Sequence, residues 1–149
     1  MRGLRGGAGG EVAAAPRMTS PPTQAGAPLI LVVDDLDDAR FMYSLYLTTH
    51  GFRVVEAADG EEAIRRAREH RPALVLMDLG LPVMDGWEAT RRIKADRRTR
   101  GVPVLALSGH AFPDSMKRAK AAGADTFLVK PCLPAIVLAK IKEMLGRSQ

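Results

Sequence analysis

Residues 73–86 read Ala73-Leu74-Val75-Leu76-Met77-Asp78-Leu79-Gly80-Leu81-Pro82-Val83-Met84-Asp85-Gly86. An apolar run ends in a carboxylate, and a Gly- and Pro-bearing loop follows. A run this short, bounded by turn formers, is what a strand covered on both faces of a parallel sheet looks like. Three other runs end the same way. Leu29–Val33 ends in Asp34-Asp35, Val102–Leu107 in Ser108, and Thr126–Val129 in Lys130-Pro131. If all are parallel strands, each of these groups stands at a carboxyl end, where open α/β sheets place their sites. Three carboxylates, a hydroxyl and an ammonium in one crevice are the composition of a Mg²⁺-dependent phosphoryl-transfer site, with Asp78 as acceptor.

Strand and helix patterns alternate from Leu29 onward. A helix is expected from Asp37 to His50, with Met42, Leu45 and Thr49 on one face and Gly51 as its left-handed stop. Arg53–Val55 is a short strand. Asp59 and Glu62 form a capping box that opens a helix closing before Pro72. Ala73–Met77 is the third strand, and Asp85 with Glu88 caps a helix to about Lys94. Val102–Leu107 is the fourth strand. Pro113 suits the first turn of the next helix and Gly123 its end. Thr126–Val129 is the fifth strand, and Pro134 opens a last helix with the stripe Val137, Ile141, Met144 and Leu145. This alternation predicts a parallel sheet with helices on both faces.

The length of 149 residues fits one domain. Residues 1–28 are rich in Gly, Ala and Pro and lack periodicity, so they are expected to be a disordered tail ahead of a domain spanning 29–149. Met18 offers a second translation start within it. No apolar run approaches the ~20 residues that span a bilayer, and Gly and Ala follow Arg5 where a secretory segment would be apolar. A soluble, cytoplasmic protein is expected. The single cysteine, Cys132, excludes an internal disulfide and a cysteine-based metal cluster; it reads as a partly buried small apolar residue.

The net charge is +5. Its one basic run, Arg91, Arg92, Lys94, Arg97, Arg98 and Arg100, reads as a solvated helix face. Zinc-finger spacing and aromatic–basic interleaving are both missing, so direct DNA binding is not expected.

The chemistry follows from the residue types. Asp34, Asp35 and Asp78 supply hard oxygen ligands for Mg²⁺, which keeps several waters and takes few carboxylates. Without a cation the three repel one another, and one or more should hold a proton more tightly. Gly80 has no side chain to keep its carbonyl from a metal. Asp78 can act as nucleophile to form an aspartyl phosphate. Mg²⁺ and Lys130 can balance the equatorial oxygens, and Ser108 can donate to another. The Lys130–Pro131 bond can adopt the cis form at modest cost, which would turn the Lys130 side chain into the crevice.

These residues resemble the receiver domain of two-component response regulators, of the stand-alone, single-domain type. The similar pieces are Val32-Val33-Asp34-Asp35, Leu74 to Asp78 with Leu81-Pro82-Val83-Met84-Asp85-Gly86, Ala106-Leu107-Ser108, Ala121-Ala122-Gly123-Ala124-Asp125 and Phe127-Leu128-Val129-Lys130-Pro131. Together they cover the chain from Leu29 to Leu145. The resemblance implies a five-stranded doubly wound sheet of order 2-1-3-4-5, flavodoxin-like. It implies phosphorylation of Asp78 by the phosphohistidine of a histidine kinase or histidine phosphotransfer protein. It implies Mg²⁺ held by Asp35, Asp78 and the Gly80 carbonyl with Asp34 in support, and phosphate contacts from Lys130 and Ser108.

Phe127 falls where the family has its switch aromatic. Moving with Ser108, it would change a face built by the fourth helix, fifth strand and fifth helix, where a downstream protein binds. Gly109 departs from the usual Ala. Gly80 and His110 occupy the positions that flank the phosphate and tune its lifetime. Gly80 leaves a path for water and favours faster hydrolysis. No output domain is expected, signalling is through protein contacts, and a weak homodimer is compatible with this reading. The chain would catalyse its own phosphorylation and dephosphorylation but not act as an enzyme on external substrates.

Two alternatives stand beside this one. A binding module with the same fold and no phosphoryl chemistry would show no Mg²⁺ response in Trp87 fluorescence. An aspartyl-phosphate phosphohydrolase would need a general acid near Asp78, and Asp78-Leu79-Gly80 carries none two residues on; turnover of a phosphate ester would revive it.

Overall fold

In the computed structural model residues 26–81, 84–109 and 113–147 are described, with backbone only for 113–116, 119 and 147. The expected tail up to residue 25, Pro82, Val83 and His110 lie outside them. The strands are β1 (Leu29–Val33), β2 (Arg53–Ala57), β3 (Leu74–Asp78), β4 (Val104–Ser108) and β5 (Thr126–Val129). Between and after them run α1 (Asp37–Thr49), α2 (Gly60–His70), α3 (Gly86–Ala95), α4 (Pro113–Ala122) and α5 (Pro134–Arg147). The strands form one parallel sheet in the order β2-β1-β3-β4-β5, a doubly wound flavodoxin-like α/β fold.

Side chains alternate across the sheet and divide the core in two. Leu31, Val33, Val75, Met77, Val104 and Ala106 pack on one face against Ala63 and Ala67 of α2 and Ala89 and Ile93 of α3. Ile30, Val32, Leu74, Leu76, Leu105 and Leu107 pack on the other against Tyr43 and Leu47 of α1 and Val137 and Ile141 of α5. Both faces are covered, which is why the strands read as continuous apolar runs.

Strand ends differ from expectation in ways that matter for the site. The fourth strand starts at Val104 rather than Val102, because Pro103 has no N–H for the ladder; its carbonyl accepts from Val75 N–H at 2.9 Å. Asp78 and Ser108 are themselves the last ladder residues, paired with Leu107 and Val129. Both are held by the sheet rather than by a loop.

The buried face of α1 is also not the expected one. Tyr43, Ser44 and Leu47 are buried, whereas Met42 and Leu45 are exposed. Two stripes on this helix have helical spacing, and periodicity cannot choose between them. Tyr43 decides the matter: its hydroxyl donates to the Cys132 carbonyl at 3.0 Å and ties α1 to the segment after β5. Cys132 is half-buried against the same core, and burial pushes its thiol pKa up, in keeping with a packing role.

The helix signals are confirmed elsewhere. Asp59 accepts from Glu62 N–H at 2.8 Å and Asp85 from Glu88 N–H at 3.0 Å. Gly51 and Gly123 take φ of 94° and 99° at the stops of α1 and α4. The basic run is the solvated face expected of it, except for Lys94. That half-buried ammonium bonds Asp125 and the Val102 carbonyl, both at 2.8 Å, and fastens α3 beside β4 and β5. None of the described helices is long and apolar enough to cross a membrane.

Candidate functional site

Asp34, Asp78, Ser108 and Lys130 come from the ends of four strands that are neighbours in the sheet, and they meet at its carboxyl edge. Backbone bonds fix this edge. Asp34 N–H donates to the Ala57 carbonyl at 3.1 Å, Leu79 N–H to Leu107 at 3.0 Å and Lys130 N–H to Ser108 at 2.7 Å. The cleft that results has a volume of about 430 Å³, and Asp35, Asp78, Gly80, Ser108 and Lys130 line it.

The acid cluster is tight. Asp34, Asp35 and Asp78 each offer a carboxylate oxygen, and these oxygens lie within 4.8 Å of one another. Asp34 and Asp78 are buried and Asp35 is exposed. The chain turns just after β1 so that two adjacent aspartates serve one cluster. Asp34 Oδ1 accepts from Leu36 N–H at 3.0 Å in that turn. Asp34 Oδ2 is buried and has no hydrogen-bond partner among the described residues. A buried carboxylate oxygen without a donor, in a group of three acids, is what a hard divalent cation would satisfy. The residues present therefore fit Mg²⁺.

Burial is the main reason that the Asp34 carboxyl holds its proton above the ordinary carboxylate range. The charges of Asp78 and Asp35 push the same way, while the Leu36 N–H and Lys130 oppose them. The sign of the linkage follows. A carboxyl whose folded value is raised lends stability only at low pH. That stability is lost as pH climbs from the ordinary carboxylate range through the raised value. Asp34→Asn keeps the Oδ1 acceptor and turns the orphan oxygen into a donor facing acids. We expect it to be more stable than wild type at neutral pH in chelator by about 1 kcal/mol, and to flatten the loss of stability as pH rises above the ordinary carboxylate range. Thermal melts across pH, with and without a chelator, check this; a less stable Asn variant would contradict it.

Asp78 is held from two sides. Its Oδ1 accepts from Gly80 N–H at 3.0 Å and lies 3.4 Å from Lys130 Nζ. Lys130 is about a quarter exposed, so its charge reaches the cleft without being fully solvated. The Lys130–Pro131 bond is cis. Ser108 is buried at the cleft wall, and Phe127 is half-buried on β5 against the core under α2 and α3.

Two arginines here carried no signal in the sequence. Arg40 of α1 donates to the Asp34 carbonyl at 2.8 Å, to Glu56 at 2.9 Å and to Asp37 at 2.6 Å. It clamps the turn that bears the two adjacent acids. Arg118 of α4 lies with its guanidinium carbon 4.5 Å from the ring centre of Trp87, and both residues line the cleft. Neither stands at the end of an apolar run, so the pattern that found the other groups passes over them.

Comparison with known proteins agrees with this geometry. Residues 30–142 match the family model described as the response regulator receiver domain. The transcriptional regulatory protein PrrA of Mycobacterium tuberculosis is 38% identical over 125 residues, 84% of this chain and 53% of that protein. AfsQ1 of Streptomyces coelicolor, also a transcriptional regulatory protein, is 36% identical over 122 residues, again 53% of its length. The chain thus spans about half the length of the curated relatives it matches. Among solved structures, a CheY-like receiver domain protein from Methanospirillum hungatei superposes with TM-score 0.77 at 30% identity, covering 82% of this chain and 96% of that one. The receiver domain of a sensor histidine kinase from Pseudomonas aeruginosa, with magnesium coordinated in its active site cleft, superposes with TM-score 0.75 at 34% identity, covering 81% and 99%.

Proposed function

The chain belongs to the response regulator receiver domain family, and on that premise we propose that Asp78 is its phosphoacceptor. The observation that carries this is the convergence of Asp78 with two further acids and one ammonium at the ends of β1, β3 and β5. In the transfer, one Asp78 oxygen bonds phosphorus as the donor's P–N bond breaks, with the bond pair staying on the departing nitrogen. Lys130 stands where it can neutralise a phosphoryl oxygen, and Ser108 where its hydroxyl can donate to another. Asp35, Asp78 and the Gly80 carbonyl are the proposed Mg²⁺ ligands, with Asp34 in support. The ion, when bound, supplies positive charge to the phosphoryl oxygens.

The donor is proposed to be a histidine kinase or histidine phosphotransfer protein, met in the cytoplasm. Its docking surface is proposed to be a set of apolar side chains left outside the core. Leu36, which lines the cleft, is 59% exposed, and Phe41 and Leu45 on the outer face of α1 are 63% and 51% exposed. Exposed apolar groups of this size, gathered beside a reactive cleft, mark a binding face. The output face is proposed to be α4, β5 and α5, with Phe127 and Ser108 as the moving pair, and signalling is proposed to pass through protein contacts there. Among the described residues only Asp78 Oδ1 comes near the position a Cβ on Gly80 would take, at 3.7 Å. Gly80 is proposed to admit the water that ends the signal, with His110 as the second lifetime-tuning residue.

Incubation with phosphoramidate and Mg²⁺ tests the assignment: intact mass should rise by one phosphoryl group, and an unchanged mass would overturn it. Lys130→Ala is expected to slow labelling by about 100-fold. It should leave Mg²⁺ binding as tight or tighter, because the ammonium that faces Asp78 at 3.4 Å no longer offsets the charge of the three acids. Trp87 fluorescence in a Mg²⁺ titration reads the second effect.

A further inference from the structure

Lys130 is not the only cation that lines the cleft. Arg118 lines it too, from α4, a different element of the fold. Its guanidinium lies over the Trp87 ring at 4.5 Å. Trp87 sits in the first turn of α3, just after Asp85 and Gly86 have capped and started that helix. Among the described residues no carboxylate pairs with Arg118, whereas Arg91 and Arg92 on the neighbouring helix are both taken by Glu88. A guanidinium over an aromatic face is held by its flat side. Its N–H donors lie in the plane, at the edge, and stay available to an oxyanion.

The charge arrangement says what that edge is for. A phosphodonor is an anion, and it must enter a cleft that already holds three carboxylates. The one ammonium at the floor stands 3.4 Å from Asp78 and is committed to it. A second cation at the wall offsets the repulsion that the donor meets before it reaches Asp78.

We propose that Arg118 is an anion-receiving residue of the phosphoacceptor cleft, held ready on Trp87 and engaging the phosphoryl oxygens of the incoming donor. This rests on the phosphoacceptor reading above. Arg118 is a positioning residue for the donor rather than a partner of the attacking oxygen. Its engagement also gives α4 a direct contact with the anion, separate from the contact made by Ser108. The planar fork matches two phosphoryl oxygens at once, which an ammonium cannot do.

The experiment measures the second-order rate of labelling by phosphoramidate, with saturating Mg²⁺, as a function of ionic strength. Wild type is compared with Arg118→Gln, Arg118→Lys and Trp87→Phe. At low salt the Gln variant should label about five-fold more slowly than wild type. The gap should close as salt rises, because a wall charge acts mainly on encounter and is screened. Lys should recover part of the rate, and Phe, whose smaller ring holds the guanidinium less firmly, should fall between wild type and Gln. Equal rates for wild type and Gln at every salt concentration would overturn the proposal. So would a Gln defect that salt does not change and Lys does not relieve, since that is the mark of a clamp between α3 and α4. No labelling of wild type would instead remove the phosphoacceptor reading itself, so the two failures are distinguishable.

Discussion

Asp78→Asn is expected to label at less than about one-thousandth of the wild-type rate, because it removes the proposed nucleophile and nothing replaces it. The substitution is close to isosteric. The Asn carbonyl oxygen can still accept the Gly80 N–H that Asp78 Oδ1 accepts at 3.0 Å, so the loop should keep its shape. What is lost is the negative oxygen that bonds phosphorus and the charge that Lys130 faces at 3.4 Å. Asp35 and Asp34 remain in the cluster but do not take over, since neither is placed against Lys130 at such a distance among the described residues. Intact mass after incubation with phosphoramidate and Mg²⁺ reads the result, and a thermal melt of the same sample shows that the variant is folded. Equal mass gain in both proteins would place the acceptor elsewhere.

The second large effect falls on a residue with no side chain. Gly86 opens α3, and a Cβ there would sit 2.5 Å from the Leu79 Cα and against the Asp78 carbonyl. Both are backbone. Leu79 N–H is bound to Leu107 and Gly86 N–H to Leu79, so neither side of the contact can yield cheaply. In an exposed helix interior, Ala is better than Gly by about 1 kcal/mol. Here the overlap wins, and Gly86→Ala should lower the unfolding free energy by about 3 kcal/mol. The folded fraction should also label more slowly, because the pressure falls on Asp78. Urea unfolding measures the first effect and phosphoramidate labelling the second. Gly101→Ala is the control, since a Cβ there meets nothing within 4 Å. A Gly86→Ala midpoint equal to wild type would show that the close approach does not exist.

Gly86 illustrates where the sequence could and could not be read. Asp85 with Glu88 announced a helix start, and the Asp85 cap is there. The reason for glycine is a contact with a strand earlier in the chain, and local pattern carries no trace of it. The strands were legible for the opposite reason. Both sheet faces are buried, so each strand is an apolar run, and the reactive groups stand where the runs stop. Asp78 and Ser108 could be read as the groups at which apolar runs stop, but not as ladder residues, which their pairing with Leu107 and Val129 makes them. The buried face of α1 could not be read, because Phe41, Met42 and Leu45 are as apolar as the residues that are buried. That helix keeps an outer surface for something other than the core. Arg40 and Arg118 were illegible because their importance comes from what lies across from them, the Asp34 carbonyl and the Trp87 ring.

Spreading one site over four strands also has a consequence during synthesis. Of the four strand-end groups, Asp34 emerges first and Lys130 last, and β5, which closes one edge of the sheet beside β4, follows the other strands in the chain. A chain still on the ribosome, with Asp78 already outside, lacks both the ammonium that faces it and the strand that borders Ser108. The proposed acceptor chemistry therefore waits for β5 and Lys130 rather than growing strand by strand. Under the proposed function, a chain that lacks β5 offers its phosphodonor no half-built substrate.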